Sequence, residues 1–393
     1  MKIVFMLMLA VAVALASRRV HKIRHRPKKV ATSLWANEDV LPSAQRLIEH
    51  REFKSGREFQ YIYDAQLMTG VPQSSQQHAA TRLQCVCRLQ FASDNSVRLQ
   101  LKHVQMAELN RKVPTPRAMV PMEACDQVSI SPEQKELLEQ PVQFKYINGM
   151  IREVQFSSSD LPWSTNIKKG ILNLLQVQLP SDKVQEKVEE RLGGQEGEIR
   201  QQINDPSENY YTVQESTMEG KCDTTYTVTR QPCRRCPRNS PVLNVTKSIN
   251  FENCAIRPEI NYNFRFSEVC PTCEKKYQDE EKFLQSSTVY QFNITGNGPS
   301  EFVIDSACAE SQYVFAPYNE QSNVIVTYTN QTLVLVKSHG ISSEISAPSS
   351  PSESKIDQSI VYNPQWDAMK EEFFMDAKDE DFLEKTPYSE AVA

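Results

Sequence analysis

The sequence predicts a mainly β protein in which antiparallel strands pack with one amphipathic helix. Apolar and polar residues alternate from Glu58 onward, as expected for strands that bury one face and expose the other. The segment 142–156 predicts a β-hairpin, because Asn148-Gly149 supplies the positive φ angles of a type I′ turn between two alternating runs. In the segment 162–179 the apolar spacing changes to three and four residues, which indicates a helix.

Residues 1–16 have the features of a secretory signal peptide. Lys2 precedes a short apolar run that ends in Ala14-Leu15-Ala16, and cleavage is expected after Ala16. A retained membrane anchor is the alternative, but the run is shorter than the roughly 20 apolar residues that a bilayer requires. We therefore expect a secreted, extracellular protein that does not span a membrane.

Residues 17–52 form a basic N-terminal arm. Its segment 18–29 contains seven lysines and arginines and two histidines. Such runs are usually solvated and disordered. The functional alternatives are a trimmed propeptide or an electrostatic contact with an acidic partner, such as a receptor module or a glycosaminoglycan. The net charge of the whole chain is only −5, so nucleic acid is not an expected partner.

The main domain is expected over residues 53–340, and a charged, Gln-rich insertion over 181–208 interrupts it. Alternation or β-branched and aromatic content indicates the strands. The predicted strands are 58–67, 83–91, 97–101, 142–147, 150–156, 210–213, 225–229, 262–266, 289–294, 302–304, 324–328 and 332–336.

The predicted helix 162–179 carries an apolar stripe and ends before Pro180, which cannot continue it. A lone helix of this kind in a β sequence must bury its stripe against the sheet or inside a curled one. We interpret the stripe as core rather than as a ligand site. Its members are Trp163, Ile167, Ile171, Leu174 and Leu175.

Ten cysteines in a secreted chain indicate disulfide bonds. Cys233 with Cys236, and Cys270 with Cys273, form two CxxC pairs, a spacing that can also bind zinc. The oxidising compartment and the arginines around the first pair favour disulfides over a metal. A redox role of the second pair is disfavoured because it lies outside a strand-to-helix junction.

Three N-x-T sequons begin at Asn244, Asn293 and Asn330. In a secreted chain such a sequon marks a surface position where a glycan can be attached. We therefore predict N-glycosylation at these three asparagines.

Residues 341–393 lose the alternating pattern and contain 12 Asp and Glu against 4 Lys and Arg. An acidic, low-complexity composition of this kind seldom buries enough apolar area to offset chain entropy. We therefore expect a mostly disordered acidic tail.

An enzyme is not expected. The chain has six histidines but no HExxH pair, no GxSxG turn and no Gly-rich phosphate loop after a strand. These motifs predict no cofactor either.

Several segments, in order from about Phe53 to Val336, resemble the N-terminal domain of vitellogenins, which belong to the large lipid transfer proteins. The most specific segment is 156–160 together with 163–176, at the predicted helix. The other matching segments are the opening strand 56–61, the cysteine-marked pair 220–228 and 253–254, and the closing strands 313–317 and 330–333.

The resemblance implies a strongly curved, mostly antiparallel β-barrel, the N-sheet of that family, which encloses one helix. It also implies a disulfide between Cys222 and Cys254. The partners of the four CxxC cysteines stay open: they pair either between the two motifs or within each one.

Vitellogenins are secreted, carry lipid in a cavity, and enter oocytes through receptors of the low-density-lipoprotein type. The resemblance therefore implies a secreted lipid-transport or yolk-type module, with phospholipid or other lipid and such a receptor as partners. Lys168 and Lys169 match the basic pair on the family's helix and are candidate receptor contacts. The alternative interpretation of these lysines is a solvated helix face.

Full-length members continue into a helical domain and open sheets that build most of the lipid cavity. The acidic tail follows the matching residues here, so we expect the N-sheet without the helical domain. A small barrel is filled by its own side chains, so lipid cargo would require a partner. The alternative function is a stand-alone secreted receptor- or surface-binding module without lipid cargo.

Overall fold

The computed structural model describes residues 52–72, 76–92, 95–113, 115–179, 208–231, 242–257, 284–298, 301–315, 324–348 and 355–362. Over these residues the protein is mainly β, as the sequence predicts, with thirteen strands in one antiparallel sheet. The strands are β1 (Arg57–Gly70), β2 (Gln77–Phe91), β3 (Ser96–Lys112), β4 (Asp126–Val128), β5 (Val142–Ile147), β6 (Met150–Phe156), β7 (Glu208–Thr217), β8 (Gly220–Gln231), β9 (Val242–Ile256), β10 (Leu284–Gly298), β11 (Glu301–Phe315), β12 (Ile325–Gly340) and β13 (Lys355–Asp357). Two α-helices accompany them, α1 (Pro132–Glu139) and α2 (Pro162–Asn173).

Several predicted features lie outside the described residues. They are the signal peptide, the basic arm up to residue 51, the insertion up to residue 207, the strand 262–266 and the tail from residue 363.

The hairpin predicted from Asn148-Gly149 is confirmed, since it joins β5 to β6 with φ angles of 50° and 81° at the two turn residues. Gly149 is required for a second reason. A Cβ at this position would lie 1.9 Å from the carbonyl oxygen of Val177, which packs against the turn. The turn therefore also places the segment that follows α2.

The sheet curves strongly. Four rings surround Phe53 at centroid distances of 4.7–5.6 Å. They are Phe59 on β1, Phe91 on β2, Tyr146 on β5 and Phe302 on β11. Because four strands separate β5 from β11 in the sheet order, their rings can meet only if the sheet folds back on itself.

The closed barrel implied by the resemblance is not observed. Within the described residues the strand path starts at β13 and ends at β7, without a ladder that joins these ends. The segment 174–179 lies in the gap: Val177 donates its backbone N–H to Gly149, and Tyr211 donates its hydroxyl to the carbonyl of Gln178. The protein therefore has a curved open sheet whose edges are bridged by an inserted segment.

The helix ends at Asn173, earlier than the predicted residue 179. The next residues leave the helix because they bond to the sheet: Gln176 accepts the backbone N–H of Ile151 and donates to Glu215. These tertiary hydrogen bonds replace those of another helical turn. The stripe nevertheless continues into the core, since Leu174 and Leu175 are buried.

The predicted strands 324–328 and 332–336 form one strand, β12. Asn330 and Gln331, which separate the two predictions, stay paired with Gln66 and Ala65 of β1. The polar residues between the two predicted strands therefore continue β12 instead of interrupting it.

Two parts of the predicted disordered tail are ordered against the sheet. In residues 341–348, Ile345 is buried and its backbone N–H donates to Gln90 over 2.7 Å. In residues 355–362, β13 pairs with β6, and Tyr362 donates its backbone N–H to Met218 over 3.0 Å. The domain therefore extends beyond the predicted boundary at residue 340.

Candidate functional site: the interior of the curved sheet

Helix α2 fills the interior of the sheet. It begins with Pro162, whose fixed φ angle suits the first helical position. Of the predicted stripe, Trp163 and Ile171 are buried on α2, as are Leu174 and Leu175 just beyond it, and Ile167 is partly buried against the same core. The stripe is therefore part of the hydrophobic core.

The polar side of α2 is buried as well, which the amphipathic pattern did not predict. The Lys168 ammonium is fully buried, where it pairs with Asp160 and donates to the carbonyl of Leu137 over 2.7 Å. Burial lowers the pKa of Lys168 and raises that of Asp160, and the attraction between the two groups opposes both shifts. The pair fixes α2 to the segment that precedes it.

Lys169 is bound by the ordered part of the tail. Its ammonium lies 2.6 Å from the Asp357 carboxylate and donates to the carbonyl of Val361 over 2.9 Å. It also lies 5.8 Å from the ring centroid of Phe156. Residues 355–362 therefore cover this side of the helix.

These positions correct the expectation that Lys168 and Lys169 contact a receptor. Both side chains are at most 3% exposed and already bind groups of this chain. A receptor could reach them only after residues 355–362 or the helix had been displaced.

A second buried ion pair joins the segment after α2 to the sheet. Lys247 on β9 lies 2.8 Å from Glu215 on β7 and donates to the carbonyl of Gln176 over 3.0 Å. Tyr226 donates its hydroxyl to the same carboxylate. Burial, with a contribution from Glu215, raises the pKa of Tyr226 far above its usual value, so the hydroxyl keeps its proton.

A third polar group borders a small cavity. Asn173 donates to the Tyr290 hydroxyl over 2.6 Å, and that hydroxyl donates to Glu219 over 3.2 Å. Burial raises the pKa of Glu219. The adjacent cavity measures about 40 Å³, enough for roughly three water molecules at about 10–15 Å³ each. It is lined by Tyr63, Leu83, Met106, Asn173, Ser311 and Thr329, among others.

One of these buried groups, Lys247, has a recognisable signal in the sequence. Lys247 lies on the same face of β9 as Leu243, Val245 and Ile249, and all four side chains are buried. A lysine on the apolar face of a strand indicates a buried, paired charge, but β9 was not among the predicted strands. Its partner Glu215 is distant in sequence and could not be found from the same pattern.

The disulfide that the resemblance implied is present. Cys222 on β8 and Cys254 on β9 are bonded and join neighbouring strands. The four CxxC cysteines, Cys233, Cys236, Cys270 and Cys273, lie outside the described residues.

The three predicted glycosylation sites lie on strands of the sheet. Asn293 is exposed, while Asn244 and Asn330 are half-buried. Asn244 on β9 and Asn293 on β10 are directly opposite each other in the strand register. The Asn330 amide donates to the carbonyl of Arg117. Glycosylation itself remains a prediction.

Within the described residues, none of the helices is long and apolar enough to cross a membrane.

The curved sheet and its buried helix define a class of β domains whose interior is filled by their own side chains. Within this class the chain belongs to the vitellogenin N-terminal domain family, whose model matches residues 53–343. The resemblance found in the sequence is therefore confirmed.

Two nematode relatives are similar to most of the chain. Vitellogenin-6 of Oscheius tipulae is 32% identical over 348 residues, which are 88% of this chain and 19% of that protein. Vitellogenin-6 of Caenorhabditis elegans is 32% identical over 350 residues, which are 89% of this chain and 19% of that protein. The chain thus spans about a fifth of the length of these curated relatives.

A solved structure that concerns lipid–protein interactions in lipovitellin shares the fold. Its TM-score is 0.58 at 22% identity, and the match covers 79% of this chain and 28% of that one. At this identity the likeness establishes the architecture alone.

Proposed function

We propose that this chain is a secreted, extracellular module of yolk-type lipid transport. It contributes a helix-filled sheet to a lipid carrier and holds phospholipid or other lipid only together with a partner surface. Family membership supports the class of function, as does the study of lipid–protein interactions in the structurally similar lipovitellin. The predicted signal peptide and sequons support secretion.

The filled interior supports the proposal that lipid is held only together with a partner surface. Pockets for drug-sized ligands measure about 300–1,000 Å³, whereas the cavity beside α2 measures about 40 Å³. A lipid chain that displaced α2 would separate Lys168 from Asp160 and bring hydrocarbon against both charges. An unpaired buried charge is costly, so lipid must bind at a surface shared with other chain segments or proteins.

Lipid extraction tests this function. The chain is secreted from eukaryotic cells alone, or together with the part of Oscheius tipulae Vitellogenin-6 that lies beyond the matched region. Purified samples are then extracted and their phospholipid is counted per chain by mass spectrometry. We expect background lipid on the chain alone, and co-purifying phospholipid when the second part is present.

Two results would overturn the proposal. Stoichiometric phospholipid on the chain alone would contradict the filled interior. Background lipid in the co-secreted sample, despite a stable complex, would contradict a role in lipid transport.

The second candidate is a secreted module that docks to a low-density-lipoprotein-type receptor without lipid cargo. Arg111 and Lys112 favour it, because these neighbouring cations are exposed at the end of β3 whereas Lys168 and Lys169 are buried. Clustered surface cations attract acidic partners, and the attraction weakens with salt.

Charge reversal tests this candidate. Arg111→Glu combined with Lys112→Glu is expected to weaken binding to calcium-loaded receptor repeats several-fold, with a shallower salt dependence. The matched control is Lys145→Glu, whose exposed side chain lies on the β5 strand of the hairpin. Equal binding by the reversed variant and the wild type would exclude this surface.

A further inference from the structure

Cys85 and Cys87 lie next to each other on the inner face of β2. Their sulfur atoms are 3.9 Å apart, and both residues are at most 1% exposed. The other described cysteines are either bonded to each other or lie in other parts of the fold. Cys222 and Cys254 are bonded to each other, Cys125 belongs to a separate apolar cluster, and Cys308 alternates with the buried Ala307 and Ala309 on β11.

The backbone around Cys85 departs from a regular ladder. On β3, Gln105 pairs with Gln84 and Lys102 pairs with Val86, so two residues of β3 bulge opposite Cys85. One of them, His103, has a φ of 54°. A bulge leaves part of the ladder unpaired and bends the strand that contains it, which here is β3. On its other side β2 keeps a regular register with β1, where Cys85 pairs with Tyr63 and Cys87 with Tyr61.

The spacing of residues along β2 decides whether the two cysteines can be joined. Residues two apart in a strand have Cα atoms about 6.6 Å apart at a rise of about 3.3 Å per residue. Disulfides usually span about 4.4–6.8 Å between Cα atoms. A regular strand therefore lies near the upper end of this range, and the two sulfur atoms are already 3.9 Å apart.

We propose that Cys85 and Cys87 form an intrastrand disulfide in the mature protein. The inference rests on the secretion proposed above, because a secretory compartment supplies an oxidising protein disulfide. One cysteine thiolate attacks that disulfide and forms a mixed disulfide; the other then displaces it. In total the two thiols lose two protons and two electrons and become one disulfide. The oxidising disulfide takes up both protons and both electrons and leaves as a dithiol.

The buried position indicates when the bond forms. In the folded protein, burial raises the pKa of Cys87 well above its usual value, so little thiolate is present for exchange. Oxidation must therefore precede the packing of the sheet around α2. Once formed, the bond is shielded from soluble reductants.

A single tryptic peptide tests the proposal. Cleavage after Arg82 and Arg88 releases residues 83–88, which contain Cys85 and Cys87 as their only cysteines. The secreted wild-type protein is denatured in N-ethylmaleimide and digested. We expect this peptide without adducts and two hydrogen atoms lighter than the dithiol. Phosphine reduction before alkylation should add two adducts only when denaturant is present.

The Cys222–Cys254 bond is the internal control, because it reports an oxidising compartment. Two adducts on peptide 83–88 with this control intact would overturn the inference and leave secretion standing. Two adducts with the control reduced, and no protein in the medium, would overturn both. A link from either cysteine to a different one would also overturn the inference.

Discussion

Replacing Lys247 with methionine tests the buried polar contacts that hold the segment after α2. Methionine keeps the approximate length of the side chain and removes its charge. Glu215 would then remain as a fully buried carboxylate beside neutral donors, and the carbonyl of Gln176 would lose the ammonium that it accepts. Breaking one partner of a buried ion pair costs about 3–5 kcal/mol, and we expect a loss of this size in the free energy of unfolding.

The matched control is Lys145→Met. Lys145 lies 2.6 Å from Glu153, but the two side chains are 51% and 45% exposed. Exposed pairs contribute about 0–1 kcal/mol, so this variant should be nearly as stable as the wild type. The double variant Lys247→Met/Glu215→Leu should lose less than Lys247→Met alone, because no buried charge is left unpaired.

Equilibrium urea unfolding at neutral pH, followed by circular dichroism, measures these differences. The slopes of the transitions must agree between variants for the free energies to be comparable. A loss from Lys247→Met no larger than that from Lys145→Met would refute the reasoning. So would a double variant less stable than the single one.

Three further predictions follow from the same structure. Burial alone would raise the pKa of Glu58, but hydrogen bonds from Arg88, Gln60 and Gln90 outweigh it and lower the pKa from 4.5 to about 2. The carboxylate therefore stabilises the fold above pH 4.5, and this contribution is lost as the pH falls towards 2. Glu58→Gln should be at most about 3 kcal/mol less stable than the wild type at neutral pH. Urea titrations of the two proteins should give converging free energies of unfolding at pH 2. Gly149→Ala should lower the melting temperature by several degrees more than Gly56→Ala, since both positions have positive φ but only Gly149 would place a Cβ against backbone; equal shifts would contradict this packing. Replacing Cys222 and Cys254 together by alanine removes a crosslink over 32 residues. Calorimetry should then report a free energy of unfolding lower by about 3–4 kcal/mol. An unchanged free energy of unfolding would exclude the bond from the native protein.

Local features of the fold could be predicted because their signals are local. Asn148-Gly149 specifies a turn through its own backbone preferences, and alternation specifies β5 and β6 on either side of it. The end of α2 is different. Asn173 ends the helix because Gln176 and Val177 bond to distant strands, and tertiary hydrogen bonds of this kind leave no trace in helical periodicity.

The interior chemistry was largely hidden for the same reason. Lys168 and Lys169 have the sequence appearance of a solvated helix face, yet both are buried. The partner of Lys169 is Asp357, which lies in a segment whose composition indicates disorder. The closed barrel was expected wrongly, because residues 174–179 lie between the two edges of the sheet and bond to both sides through contacts that no sequence pattern shows.

Amide hydrogen exchange of α2 tests most directly whether the sheet is filled by its own helix. We expect residues 163–173 of the purified protein to exchange as slowly as the central strands β1 and β2, because α2 can open only when the surrounding sheet opens. Addition of phospholipid vesicles should leave this rate unchanged. Exchange within seconds, or faster exchange on addition of lipid, would show that α2 is exposed or displaceable and would contradict the account.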